Sequence, residues 1–202
     1  MKPVILSPDF YLDEDVLAIS QALLGKFIVS QVGNQRTVGM IVETEAYRGP
    51  EDKASHAYNG RHTARTKTMY LPGGVAYVYL CYGLHHLLNV VTAPANTPHA
   101  VLIRAIEPIE GLPLMLKRRN LMHAHARLTA GPGALTQALG ITRQLDAIPL
   151  TGSLLWIEER GIKVSKKEIL VTPRIGIDYA QEHRDLPWRF CLKNSPWTSK
   201  RR

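Results

Sequence analysis

The sequence predicts an α+β fold, a single domain in which peripheral helices surround a curved, largely antiparallel sheet. Three features carry that expectation. Short runs of β-branched and aromatic residues are scattered along the chain, few segments show helical periodicity, and strand and helix do not alternate as a parallel sheet requires. The 202 residues are most economically one domain, 1–202, large enough to bury roughly two thirds of the surface the unfolded chain exposes. Hydrophobic residues at 45% and charged residues at 21% exclude a mainly disordered or collagen-like chain.

Residues 12–26 read as a helix. Asp13 caps its start, Asp15 suits the positive end of the dipole, and Val16, Ile19, Leu23 and Leu24 form an apolar stripe that Gly25 ends. Residues 27–32 and 36–47 then read as a hairpin about Gly33-Asn34-Gln35, whose Gly and Asn tolerate positive φ. The next stretch, 48–74, is rich in Gly, Pro, His and charge and is longer than simple connections usually are. Its Arg61, Arg65 and Lys67, with His62 and several hydroxyls, suit phosphate oxygens and equally suit a solvated surface loop.

Residues 75–81 and 84–91 read as a second hairpin with a two-residue Tyr82-Gly83 turn. Tips of this kind normally carry small polar residues, so Tyr82 is either held by a neighbouring element or presented outward. Residues 100–105 form a buried strand, and the arginine near its end, Arg104, invites a carboxylate partner. A mostly helical, basic segment over 109–128 follows, then a Gly131-Pro132-Gly133 break and a short helix over 134–139. Strand pieces at 154–157, 169–172 and 189–192 complete the chain.

Lys and Arg total 25 against 17 Asp and Glu, a net charge of +8 that favours polyanions such as nucleic acid and is shared by membrane-surface binders and plain enzymes. Cys81 and Cys191 are too few for a disulfide framework and lack zinc-ligand spacing, which points to a reducing compartment. Residues 69–103 carry no Asp, Glu, Lys or Arg, but Pro72, Gly73, Gly74, Gly83 and Asn89 interrupt them, so no membrane span is expected. The N-terminal run is too short for a secretory signal, and a cytoplasmic protein is expected.

In an extended strand Glu43 and Glu45 share a face with Cβ atoms about 7 Å apart. Hydrolysis of a glycosidic bond through an inserted water uses carboxylates at about that separation; the same pattern also fits a solvated sheet edge. Tyr47, Tyr58, Tyr77, Tyr79 and Tyr82, with His56 among them, add flat surfaces on which unstacked bases could lie, or simply core aromatics. Dinucleotide, triphosphate and zinc-deaminase signatures are absent, and His85, His86, His123 and His125 are poorly spaced for a shared ion, so neither cofactor nor metal is expected.

Taken in order, Val42-Glu43-Thr44-Glu45-Ala46-Tyr47, Gly49-Pro50-Glu51-Asp52, His56, Tyr77-Val78-Tyr79, Tyr82-Gly83, Asn89 and Leu102-Ile103-Arg104-Ala105-Ile106-Glu107-Pro108 closely resemble the alkyladenine (3-methyladenine) DNA glycosylase family of base-excision repair. The likeness covers nearly the whole chain. It implies a monofunctional enzyme that flips alkylated or deaminated purines (3-methyladenine, 7-methylguanine, hypoxanthine, ethenoadenine) out of duplex DNA and hydrolyses the N-glycosidic bond, leaving an abasic site. By position, Tyr82 matches the wedge that fills the gap left by the flipped nucleotide, so the hairpin is expected to protrude and insert into DNA. Tyr47, His56 and Tyr79 match the base-pocket residues, and Asn89 matches a residue that crowds the exocyclic amine of guanine.

Glu45 matches the general base and Arg104 a residue that helps fix the attacking water and the carboxylate. Glu43 has no catalytic counterpart, so the paired-carboxylate reading gives way to a single base. No lysine matches a Schiff-base nucleophile. The resemblance also implies duplex DNA with damaged purines as partner, no membrane and a monomer, associated with the nucleoid in a bacterium or nuclear in a eukaryote. With a two-residue turn, Tyr79 would oppose His86 and Asn89 would face away from it, so a shared pocket requires a bulge or strong twist. Two rival classes remain at this level: a non-catalytic damaged-DNA-binding module, and a hydrolase of small N-glycosides.

Overall fold

The computed structural model describes residues 2–199. Its strands and α-helices are β1 (Val4–Ile5), α1 (Val16–Ala22), β2 (Phe27–Val32), β3 (Gln35–Arg48), β4 (Ala76–Cys81), β5 (His85–Thr92), β6 (His99–Glu110), α2 (Leu112–Arg119), α3 (Pro132–Leu139), β7 (Leu155–Glu159), β8 (Ile169–Thr172) and β9 (Arg189–Leu192). The sheet runs β1-β7-β2-β3-β6-β5-β4, with β9 and then β8 added along β3. Every named strand pair is antiparallel. The α+β expectation holds.

β3 is the spine. Its first half pairs with β2 through Gln35–Met40, and Glu43 to Glu45 pair with β9, while β6 lies along the other edge. The β3·β6 register shifts between Val38 and Gly39 and twice between Ile41 and Thr44. Such irregularities bend a strand and increase its twist, and the curl lets β2 hand over to β9. Gly39 is required here: a Cβ at that position would stand 2.3 Å from Ile106 Cδ1. The core lies between this sheet and the helices, with Leu23, Ile28, Ile41, Leu88, Ile103, Ile106, Met115 and Leu135 all buried. Each such side chain contributes about 1.5–3 kcal/mol by leaving water.

The first helix is shorter than 12–26. Its cap is Asp15, whose Oδ1 accepts the Leu17 and Ala18 amides at 3.0 Å each, while Asp13 accepts the Asp15 amide at 2.8 Å. The cap therefore lies two residues after the expected one, although Val16, Ile19, Leu23 and Leu24 are buried as the stripe predicts. The basic segment 109–128 also divides. β6 extends to Glu110, α2 ends at Arg119 and is capped by Asn120 in the left-handed region (φ 50°), and only a 3-10 turn, Ala126–Leu128, follows. α3 starts at Pro132, earlier than expected, because proline fits the first helical turn.

The β4/β5 turn corrects the register. Tyr82 and Gly83 both have positive φ (50° and 69°), and the Leu84 amide donates to Cys81 O at 3.1 Å, but the ladder resumes with Cys81 opposite His85. Leu84 is thus one extra residue. The shift sets Tyr79 opposite Leu87 and Asn89 opposite Tyr77. A one-residue change reverses which side chains share a face, so Asn89 joins the tyrosines without any bulge further along. Tyr82 is 91% exposed and Leu84 77% exposed at this tip.

The 48–74 segment is packed despite its composition. Asp52, Ala54, Ser55, Ala57 and Met69 are buried, and 3-10 turns occur at Tyr58–Gly60 and Lys67–Tyr70. Among the described residues, no helix is long and apolar enough to cross a membrane.

Candidate active site

A cavity of about 500 Å³ opens between the β4/β5 hairpin, the 48–74 segment and the loop after β8, and Tyr47, His56, Tyr79, Asn89 and Arg104 all line it. Tyr82 stands at its rim. Glu45 lies immediately behind, fully buried. Its Oε2 accepts the Tyr47 hydroxyl at 2.8 Å and Arg104 NH1 at 3.3 Å, and its Oε1 accepts the Ile175 amide at 2.8 Å. All seven residues singled out from sequence therefore meet at one cavity, its rim or its back wall.

Burial raises the Glu45 pKa above the ordinary carboxylate value, and Arg104, the Ile175 amide and Tyr47 only partly offset it, while the charge of Glu43 adds to the rise. Glu43, two residues away and equally buried, behaves oppositely. Burial disfavours its charge too, but Arg104, Arg189 and Ser199 outweigh that cost and hold its pKa low. Neither carboxylate stands on a solvated edge, since β6 and β9 cover both sides of β3 here. The two glutamates do converge, on Arg104 rather than on open surface.

The Tyr47 phenol stays protonated, its pKa driven well up by burial and then by Glu45, so it remains a donor. Its ring rests on the Arg174 guanidinium, 4.8 Å from the ring centre, and Trp188 lies 5.0 Å from the same guanidinium. Arg174 is anchored by Asp52, by Ala46 O at 2.9 Å and by His183 O at 3.2 Å. A cation so placed braces one aromatic wall of the cavity.

A second aromatic group on the cavity lining is hydrogen-bonded together. His56 packs edge-on against Tyr79 with centroids 4.6 Å apart, and Tyr79 lies 5.3 Å from Tyr77. Burial and then Arg65 lower the His56 pKa to about 4, so the ring is neutral at physiological pH. Arg65 approaches His56 Nε2 at 3.3 Å, and Tyr77 Oη lies 2.8 Å from Nδ1. Because arginine can only donate, the proton of the neutral ring belongs on Nδ1, directed to Tyr77. Asn89 is held by donation from Nδ2 to Tyr77 O at 3.3 Å. These side chains present π-faces and a few fixed polar groups in a partly dry pocket, a construction suited to a flat heterocycle.

Arg61, His62, Arg65 and Lys67 are exposed. Arg61 and Arg65, with Lys53, border a second cavity of about 630 Å³ that shares His56 and Tyr179 with the first. Among the described residues, no cluster of three or more His, Cys, Asp or Glu is placed to hold a metal.

Several supporting groups were not singled out from the sequence. Arg189, Ser199 and the Ile175 amide lie far along the chain from the glutamates they hold, as Arg174 does from Asp52, and tertiary folding alone brings them in. The one signal the sequence carries for them is arginine within a strand-like segment, which Arg189 shares with Arg104.

A family model described as Methylpurine-DNA glycosylase (MPG) matches residues 9–196. A relative from Chlamydia pneumoniae is 52% identical over 189 residues, 93% of this chain and 95% of its own. One from Chlamydia felis is 50% identical over 189 residues (93% and 96%), and one from Bacillus cytotoxicus 46% over 201 residues (96% and 98%). Each carries the name "Putative 3-methyladenine DNA glycosylase".

Proposed function

Because the chain belongs to the methylpurine-DNA glycosylase family and is a hydrolase of N-glycosyl bonds, we propose that it excises alkylated or deaminated purines from duplex DNA with a water activated by Glu45. The observation that carries this reading is a fully buried carboxylate at the back of a cavity with aromatic walls. Its substrates are 3-methyladenine, 7-methylguanine, hypoxanthine and ethenoadenine, turned out of the stack at a cost of a few kcal/mol that is smaller for damaged or mispaired bases.

The flipped base enters between Tyr47 on one side and His56 and Tyr79 on the other. Electron-poor, often cationic rings gain more from these faces than normal bases do. Asn89 crowds the exocyclic amine of guanine, and Tyr82 fills the vacated stack. Glu45 Oε1 accepts one hydrogen bond among the described residues, from Ile175, so it has capacity for a water aimed at C1′. As the bond to the base lengthens, Glu45 takes the proton of that water and its charge stabilises the oxocarbenium-like sugar. Arg104 steadies the carboxylate. The elevated pKa of Glu45 makes it a stronger base than an exposed carboxylate. The product is an abasic site with the strand intact.

On this reading the whole chain acts as one monomeric glycosylase domain on nucleoid DNA in the cytoplasm. The net charge of +8 and the exposed cations of the 48–74 segment support phosphate contact.

Alkali-revealed cleavage of duplexes bearing one hypoxanthine or 3-methyladenine analogue tests the proposal. Wild type should form abasic sites, and Glu45→Gln should lose about 10²–10⁴-fold in rate while lesion binding persists. If neither protein releases a base yet both bind the lesion, the chain is a damage-recognition module.

A further inference from the structure

Glu43 has no part in the chemistry above, yet its carboxylate receives four hydrogen bonds in a fully buried setting. Oε1 accepts Arg104 Nε at 2.9 Å, Arg189 Nε at 2.8 Å and the Ser199 hydroxyl at 2.6 Å. Oε2 accepts the Ser199 amide at 2.6 Å. Arg189 is fixed in turn by Thr172 Oγ1 at 3.0 Å and Ser199 O at 2.9 Å. A line of contacts thus runs from Ser199 and Arg189 through Glu43 to Arg104 and ends at Glu45.

We propose that Glu43 is a positioning residue for Glu45, holding Arg104 by its Nε so that the guanidinium steadies the Glu45 carboxylate through one contact instead of closing on it as a two-pronged ion pair. The inference rests on the Glu45 role proposed above. A guanidinium facing a single buried carboxylate adopts the parallel two-bond arrangement, the strongest available pairing. Here Nε is spent on Glu43, and the remaining contact to Glu45 is the longer one, 3.3 Å against 2.9 Å. A general base needs its charge and a free lone pair. An arginine wholly committed to Glu45 would leave it ionised but weakly basic.

Every element packed around Glu45 contributes to this balance. β3 itself supplies Glu43 and Tyr47, β6 supplies Arg104, β9 supplies Arg189 and Cys191, and the loop after β8 supplies Arg174 and the Ile175 amide. The inner set comprises two carboxylates and two guanidiniums, so it is neutral when all four are charged. Glu43 lies closest to both arginines and keeps its charge, leaving Glu45 as the member that titrates.

Removing the Glu43 charge should release Arg104 onto Glu45. In Glu43→Gln, the pH profile of single-turnover excision should keep its acidic limb but move it down by about one unit, with the plateau rate falling about tenfold or more and lesion-duplex affinity unchanged within about threefold. Ser199→Ala, which removes the hydroxyl that donates to Glu43 Oε1 and keeps the amide donor, should displace the limb in the same direction by less. A structural role alone would lower melting temperature or affinity without moving the limb, and an unmoved limb in both variants overturns the inference. Should Glu43→Gln unfold, Ser199→Ala decides alone: a downward displacement supports the proposal and an unmoved limb overturns it. Glu45→Gln in the same assay separates the two claims, because excision surviving in that variant removes the base itself, whereas its loss beside an unmoved Glu43→Gln limb removes only the positioning role.

Discussion

Replacing Asp52 with alanine tests whether a buried ion pair holds the aromatic wall from behind. Arg174 and Asp52 have no side-chain exposure, and Arg174 NH2 donates to Asp52 Oδ1 at 2.9 Å while NH1 meets Oδ2. Asp52 Oδ1 also accepts the Ala54 amide at 2.9 Å. Without Asp52, the guanidinium keeps only the carbonyls of Ala46 and His183 and two aromatic faces. An uncompensated buried charge costs about 3–5 kcal/mol, and the lost Ala54 contact about 1 more. The expected loss is therefore about 4–6 kcal/mol, a large share of a total of about 5–15. In a chain of this size that is a fall of about 10–20 °C in melting temperature.

The companion variant Asp52→Ala/Arg174→Met removes both charges, together with the Arg174 Nε that has no partner among the described residues. It should recover to within about 2 kcal/mol of wild type, since apolar replacement of a buried pair is often neutral. Urea unfolding of wild type, both single variants and the double variant gives the coupling energy directly. A cost below about 1 kcal/mol for Asp52→Ala would show that the charge is not what the pocket wall depends on. A double variant no more stable than Asp52→Ala would show the same. Lesion affinity measured alongside should fall in Asp52→Ala, because Tyr47 rests on the same guanidinium.

Tyr82 is 91% exposed, so Tyr82→Ala should change stability by no more than about 0.5 kcal/mol while slowing excision from paired lesions more than from unpaired ones. Wild-type rates on paired sites would refute the wedge role. His56 is held neutral with a pKa of about 4 against 6.5 in the unfolded chain. The unfolded state therefore binds the extra proton first, and stability present above pH 6.5 is lost as pH falls towards 4, by up to about 3 kcal/mol. Unfolding of wild type and His56→Phe across that window should diverge, and parallel curves would contradict the neutral assignment.

Local pattern carried most of the fold. The apolar stripe of α1, the β2/β3 hairpin and the short strands at 169–172 and 189–192 appear where periodicity put them. What failed were single-residue matters with large consequences. Asp13 and Asp15 are both competent caps, and only tertiary placement of the preceding turn selects Asp15. The Tyr82-Gly83 turn has the backbone expected of a two-residue hairpin, yet Leu84 slips the ladder by one, and that slip brings Asn89 to the tyrosine face. Nothing in the turn residues themselves records the extra position. The candidate site was legible through its resemblance to a family, whereas its braces were not, because Arg189 is 146 positions from Glu43 and Arg174 is 122 from Asp52.

The two glutamates show most plainly where sequence ends and environment begins. Glu43 and Glu45 are the same residue type on one strand, equally buried, both in contact with Arg104, and period-two spacing treats them as equivalent. β9 breaks the equivalence. It sets the Arg189 side chain and, through it, Ser199 against Glu43 alone, so one carboxylate is pulled down and the other left high. Buried charges in contact must divide the available donors unequally before one of them can act as a base. The curl of β3 that exchanges β2 for β9 is therefore more than a packing solution. It brings a second arginine to the first glutamate and leaves the next one, behind the cavity wall, with Arg104 alone.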